Sequence, residues 1–80
     1  MIEVLRTNDP VLISYVQAVL KEQEIDSVVM DTNASILDGS VGAIPRRLMI
    51  IQEDAAQARL LLVESEAAPS LNKNFSEGNW

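Results

Sequence analysis

The chain contains no cysteine and no histidine, and only three of its 80 residues are aromatic. Without cysteine, neither a disulfide framework nor a thiolate metal site can form. Without both residue types, the chain lacks the commonest general base, the strongest nucleophile and the usual ligands of zinc. We therefore expect a protein that is not an enzyme and that carries no cofactor.

Basic residues are also scarce, since six lysines and arginines stand against twelve acids and give a net charge of −6. Binding to a phosphate backbone requires clustered basic side chains, so nucleic acid is not an expected partner. No apolar run reaches the ~18 residues of a membrane-spanning helix, and the first ten residues do not resemble a secretory signal. These absences predict a cytoplasmic protein without a membrane partner.

The first half of the sequence predicts a strand, a helix and a second strand. Ile2–Thr7 is expected to be a strand with Ile2 and Val4 on one face and Leu5 on the other. Asp9 and Pro10 predict a helix start, because Asp caps well and Pro fits the first helical position. This helix continues to about Gln23, and its predicted apolar face consists of Leu12, Tyr15, Val16, Val19 and Leu20. The β-branched run at Ser27–Met30 predicts the second strand.

A third strand and a second helix follow after an irregular segment. The apolar run Leu48–Ile51 lacks alternation, which is typical of a strand that is paired or covered on most sides. Glu53 and Asp54 place negative charge where the positive end of the next helix would lie. The buried face of that helix is predicted to consist of Ala55, Ala58, Leu61 and Leu62.

The order of these elements, βαββα, predicts a ferredoxin-like α+β domain in residues 1–65. The third strand would insert between the first two, which is the split βαβ arrangement, and both helices would cover one face of a small antiparallel sheet. The other face would be bare in a monomer, which suggests a homo-oligomer. Residues 66–80 are polar on average and are expected to form a flexible, disordered tail.

The irregular segment Thr32–Pro45 is the candidate functional site. Its aliphatic residues lie where composition otherwise indicates surface, which suggests contact with an unidentified protein partner or packing of the loop on its own core. Its glycines could instead form an anion-binding nest beside a basic pair, although no phosphate-binding motif is present. The candidate contact residues are Asn33, Ile36, Leu37, Asp38, Gly39, Ser40, Gly42, Ile44, Arg46 and Arg47.

Two features of this region have simpler explanations. The basic pair Arg46 and Arg47 could be charges on an edge strand that discourage unwanted pairing, or it could face the carboxylates of a partner. The carboxylates of Asp31 and Asp38 could in principle bind Mg²⁺ or Ca²⁺, but their spacing matches no calcium-loop pattern, so no metal is expected.

Several of these features together resemble a known family. They are the Ile-led strand beginning at Ile25, the glycine-containing loop with Asn33 and Gly42, the run Ile44-Pro45-Arg46 before an apolar strand, and the Glu53-Asp54-Ala55-x-x-Ala58 helix. The chain resembles the small bacterial family described as putative prokaryotic signal transducing proteins. This resemblance covers about residues 2–63 and implies a ferredoxin-like fold related to PII-type regulators, an intracellular setting and a role in signalling.

The sequence departs from that family at one position. The family usually has glycine just before the Ile-led strand, as a left-handed helix cap, and this chain has Glu24. A left-handed glutamate costs about 1 kcal/mol or more, so we expect the helix to end by another geometry.

Two functions follow from these observations. The first is a non-enzymatic regulatory or interaction module that acts through the 32–45 loop. The second is a sensor for a nucleotide or another small anion, which would bind at Gly39–Gly42 with Arg46.

Overall fold

Three antiparallel strands form the sheet in the part of the chain that the computed structural model describes, residues 1–31 and 45–80. The strands are β1 (Ile2–Thr7), β2 (Val28–Asp31) and β3 (Arg46–Ile50), and the helices are α1 (Pro10–Glu22), α2 (Ala55–Leu62) and α3 (Lys73–Glu77). Single 3₁₀ turns lie at Gln52–Asp54, directly before α2, and at Ala68–Ser70, before α3.

The strand order is β1-β3-β2, with β3 antiparallel to both neighbours. The insertion of the third strand between the first two confirms the predicted split βαβ arrangement and the α+β class. Helices α1 and α2 contact each other, and their buried side chains belong to the same core as Leu5, Leu48 and Ile50 of the sheet. Both helices therefore cover one face of the sheet, as predicted.

Helix α1 begins as its sequence predicts. The side chain of Asp9 accepts hydrogen bonds from the backbone N–H groups of Val11 and Leu12, at 2.9 and 3.3 Å. Pro10 occupies the first helical position, where a missing N–H removes no helical hydrogen bond. The fully buried residues of the helix are Ile13, Val16 and Leu20, whereas the predicted core residue Tyr15 is 38% exposed.

The end of α1 corrects the expectation for Glu24, which does adopt the left-handed conformation, with φ of 61°. The Ile25 N–H donates to the Leu20 carbonyl and the Glu24 N–H donates to the Lys21 carbonyl, at 3.0 and 2.8 Å. This pair of hydrogen bonds is the Schellman motif, which usually has glycine at the left-handed position. Ile25 and Leu20 are both buried, so their apolar contact and the two hydrogen bonds offset the strain of a left-handed glutamate.

A β-bulge in β1 corrects the predicted alternation of that strand. The register with β3 shifts between Glu3 and Leu5, because Leu5 pairs with Leu48 while Glu3 pairs with Met49. Val4 is the extra residue, and both Val4 and Leu5 are completely buried. The two residues were predicted on opposite faces, but a bulge places consecutive side chains on the same side.

Residues 66–80 were predicted to be a disordered tail, and the structure places them differently. Ala67, Leu71 and Phe75 are at most 9% exposed and belong to the core. Leu71 forms an antiparallel bridge with Leu5, and the neighbouring Asn72 N–H donates to the Val4 carbonyl at 2.7 Å. The three apolar residues lie in a turn, a bridge and a helix, so no single period marks them, and the polar average of the segment conceals them.

Polar contacts hold α3 in place as well. The Asn72 side chain accepts from the backbone N–H groups of Asn74 and Phe75 and so caps the helix. The Nε of Arg59, on α2, donates to the Ser76 carbonyl at 2.7 Å. A short helix of this length would not be stable alone, so its order depends on these contacts and on the burial of Phe75.

Candidate functional site

The face of the sheet turned away from α1 and α2 is the candidate site, and we call it the open face. Residues that are paired across neighbouring strands have their side chains on the same face of the sheet. Leu5, Leu48 and Val29 are paired in this way and face the helices. The paired residues on either side of them face away from the helices, and these are Glu3, Met49 and Val28, and Arg6, Arg47 and Met30. Ile51 follows the buried Ile50 in extended backbone, so it points to the same side as Met49. The residues of the open face are Glu3, Arg6, Val28, Met30, Arg47, Met49 and Ile51.

One half of the open face is apolar and exposed. Val28 is 48% exposed, Met30 is 41% exposed and Ile51 is 49% exposed, while Met49 lies half-buried between them. The solvated face of an antiparallel sheet normally carries polar side chains, which gives a clean alternation along each strand. A contiguous group of large apolar side chains there marks a surface suited to contact with another molecule.

The other half of the open face carries a charged network around Glu3. Its Oε1 accepts a hydrogen bond from Arg6 Nη2, and its Oε2 accepts one from Asn72 Nδ2, both at 2.9 Å. Burial acts to raise the pKa of Glu3, but the hydrogen bonds from Arg6 and Asn72, with the charges of Arg6 and Arg47, outweigh it. The pKa of Glu3 therefore lies below its ordinary value, and the carboxylate is ionised at neutral pH.

The basic pair lies on the central strand, with its two side chains on opposite faces. Arg46 Nε lies 3.5 Å from the Asp31 carboxylate on the helix side, and Arg47 lies on the open face beside Met30. The interpretation of this pair as an edge-strand charge is wrong, because β3 has a neighbour on each side. Among the described residues, Arg47 Nη2 donates one long hydrogen bond, of 3.4 Å, to the Asp31 carbonyl.

Of the contact residues predicted from sequence, only Arg46 and Arg47 belong to the part of the chain that the structure describes. The remaining candidates, Asn33, Ile36, Leu37, Asp38, Gly39, Ser40, Gly42 and Ile44, lie outside the described residues. Their roles as partner contacts or as an anion-binding nest stay predictions. For the anion sensor, the ion pair with Asp31 already neutralises part of the charge of Arg46.

The sequence reasoning missed Val28, Met30 and Met49 as site residues, although the signal was present. Val28 and Met30 alternate with Val29, which packs against the core, so the predicted strand order places them on the bare face. Glu3 and Arg6 were missed because their meeting depends on the bulge in β1.

Within residues 1–31 and 45–80, no group of three or more acidic, histidine or cysteine side chains could hold a metal ion. No helix among these residues is long and apolar enough to cross a membrane. An open depression of about 380 Å³ lies between α1 and the approach to β2, and it is lined by residues such as Gln17, Lys21 and Asp26.

The strand order and the two covering helices define the class of the protein, a small split βαβ domain. The model of the family "putative prokaryotic signal transducing protein" matches residues 1–66. The chain belongs to this family, as the resemblance in its sequence predicted. No curated protein matches the chain.

Proposed function

We propose that this protein is a non-enzymatic regulatory module that binds a protein partner through the open face. The observation that carries the proposal is the exposure of Val28, Met30 and Ile51 on one side of a sheet whose other side is buried. The family description, a signal transducing protein, supports a regulatory role and leaves the partner unspecified.

The composition of the open face favours a protein over a small molecule. The surface lies on the regular strands β2 and β3 and is apolar beside a charged margin. Protein contact surfaces have this arrangement of an apolar centre and a polar rim, whereas ligand sites are concave and enclose most of the ligand. Methionine side chains such as Met30 and Met49 also adapt their shape to a partner.

The predicted role of the 32–45 loop fits the same surface. This segment joins β2 to β3, so its aliphatic candidates Ile36 and Leu37 follow closely after Met30 in the chain. We propose that the loop extends the contact made by the open face. Replacing Ile36 and Leu37 with serine should then weaken partner binding and leave the melting transition nearly unchanged.

Site-specific photo-crosslinking in bacterial cells tests the proposal. A benzoylphenylalanine residue is placed at position 28 or 30, on the open face, and at position 11 or 60 as a matched control. Val11 and Leu60 are 75% and 64% exposed, so they present apolar surface elsewhere on the molecule. We expect protein adducts from positions 28 and 30 and few or none from positions 11 and 60.

The mass of the adduct identifies the partner. A heterologous protein supports the regulatory module, and an adduct of twice the chain mass shows that a second copy occupies the open face, as the predicted homo-oligomer would require. Equal crosslinking from all four positions, or none from positions 28 and 30, would contradict the proposal.

A further inference from the structure

Charge is distributed unevenly between the sheet and the rest of the chain. The three strands hold Arg6, Arg46 and Arg47 against Glu3 and Asp31, a net charge of +1, which leaves −7 for the remaining residues of a chain whose net charge is −6. The open face itself carries two arginines and one glutamate. An acidic molecule would therefore be repelled by most of this protein and attracted to the open face.

Among the charged groups of the open face, Arg47 makes the longest hydrogen bond that the described residues provide. Glu3 is shared between Arg6 and Asn72 through two short hydrogen bonds, whereas Arg47 makes the 3.4 Å bond to the Asp31 carbonyl. The Arg47 Nε is buried and has no hydrogen-bond acceptor among the described residues. A guanidinium carries five donors in a fork that matches a carboxylate, so Arg47 has capacity for an acidic ligand.

The apolar side chains adjoin this guanidinium directly. Met30 is the cross-strand partner of Arg47, and Met49 and Val28 form the next row on the same face. A ligand that reaches Arg47 with a carboxylate therefore lays its neighbouring side chains on Met30, Val28 and Ile51. This juxtaposition defines the chemistry of the partner.

We infer that the open face binds a peptide segment of the partner that combines a carboxylate with large apolar side chains. The Asp or Glu of the segment pairs with Arg47, and its aliphatic or aromatic side chains cover Val28 and Met30. The inference rests on the proposed function and specifies the partner that this function requires. The charge of Arg47 makes the surface specific for an acidic segment, and the burial of apolar side chains supplies most of the binding free energy.

A random peptide library displayed on phage, selected against the immobilised full chain, tests the inference. We expect enriched peptides to contain Asp or Glu within a few residues of Leu, Ile, Phe or Trp. A synthetic copy of an enriched peptide is then titrated against Arg47→Met, which keeps the aliphatic stem and removes the charge. The Kd should rise about ten- to hundred-fold, the loss typical of a charge-assisted contact.

Arg46→Met is the matched control, because Arg46 is the next residue on the same strand and points to the opposite face. Its Kd should change less than about two-fold. Thermal melts of both variants check that each is folded, and the Kd for the wild type should rise with salt concentration.

Two results would overturn the inference for different reasons. Enriched peptides without acidic residues, or equal losses from Arg47→Met and Arg46→Met, reject the acidic segment. If the enriched peptides bind the wild type but not a Val28→Ser, Met30→Ser double variant, the proposed function stands even though the acidic segment is rejected. Failure to enrich any peptide sensitive to the double variant rejects both.

Discussion

The two faces of the sheet differ in what their apolar residues accomplish. On the covered face, Leu5, Leu48 and Ile50 are completely buried against the helices, while on the open face Val28, Met30 and Ile51 keep between 41% and 49% of their surface exposed. The first group supplies stability, because its burial removes apolar area from water on folding. The second group leaves much of that free energy available for binding, so stability and recognition reside on opposite sides of a single sheet.

The largest expected loss of stability follows from a substitution in α3, whose residue Phe75 belongs to the core on the covered face. Phe75 is 1% exposed, so Phe75→Ala should reduce the free energy of unfolding by about 3–5 kcal/mol. Urea unfolding followed by circular dichroism measures the change. Trp80→Ala is the control, since Trp80 is 42% exposed and should cost much less.

If Phe75→Ala does not fold, Phe75→Leu preserves most of the volume and gives a measurable intermediate effect. A loss below about 1 kcal/mol for Phe75→Ala would show that the C-terminal segment does not belong to the core.

A pair of substitutions compares the two faces directly. Leu48→Ala should cost about 2–5 kcal/mol because Leu48 is completely buried, and Met30→Ala should cost under about 1 kcal/mol because its side chain is 41% exposed. Urea unfolding provides both values. Similar losses of unfolding free energy from the two variants would mean that the open face is part of the structural core. Stability and recognition would then not reside on opposite faces of the sheet.

A smaller effect, of the opposite sign, is expected on the helical side. Glycine at position 24 removes the clash of a left-handed side chain, so Glu24→Gly should stabilise the protein by about 1 kcal/mol and raise its Tm by several degrees. Glu24→Ala retains a Cβ and should give no such gain. An equal gain from both variants would assign the effect to the charge of Glu24 rather than to its backbone conformation.

The smallest effect concerns the charged half of the open face. Because the pKa of Glu3 is lower in the folded state, its contribution to stability is present above its unfolded pKa, near 4.5, and is lost as the pH falls through the folded value. The difference in free energy of unfolding between the wild type and Glu3→Gln should therefore be constant near neutral pH and should shrink as the pH falls below about 4.5. Urea unfolding across this range tests it, and an advantage that grows on acidification would contradict it.

The sequence was sufficient for the elements that depend on local signals. Asp9 and Pro10 located the start of α1, and the apolar run Leu48–Ile51 located the central strand, which is Arg46–Ile50 in the structure. Two features depended on contacts distant in sequence, since the bulge at Val4 involves pairing with β3 and α3 is ordered by docking of Phe75. The left-handed Glu24 is a local feature, because its helix end is held by hydrogen bonds to Leu20 and Lys21.

The candidate site was predictable in outline and not in detail. The expected bare face of the sheet is present, and its residues follow once the strand order and the register are known. The sequence alone could not give that register, because the bulge shifts the pairing of β1 by one residue. The bulge therefore hides Glu3 and Arg6 from sequence reasoning, whereas Val28 and Met30 lie on the regular pairing of β2 with β3.

The bulge at Val4 also has a consequence for how the family can vary. Ile2 pairs with Ile50 and Leu5 pairs with Leu48, so three steps along β1 correspond to two steps along β3. Deletion of one residue here would restore regular alternation and leave the facing of every other side chain unchanged. Loss of one residue here would therefore keep the strand pairing, at the cost of the buried Val4 side chain and of the carbonyl that accepts from Asn72.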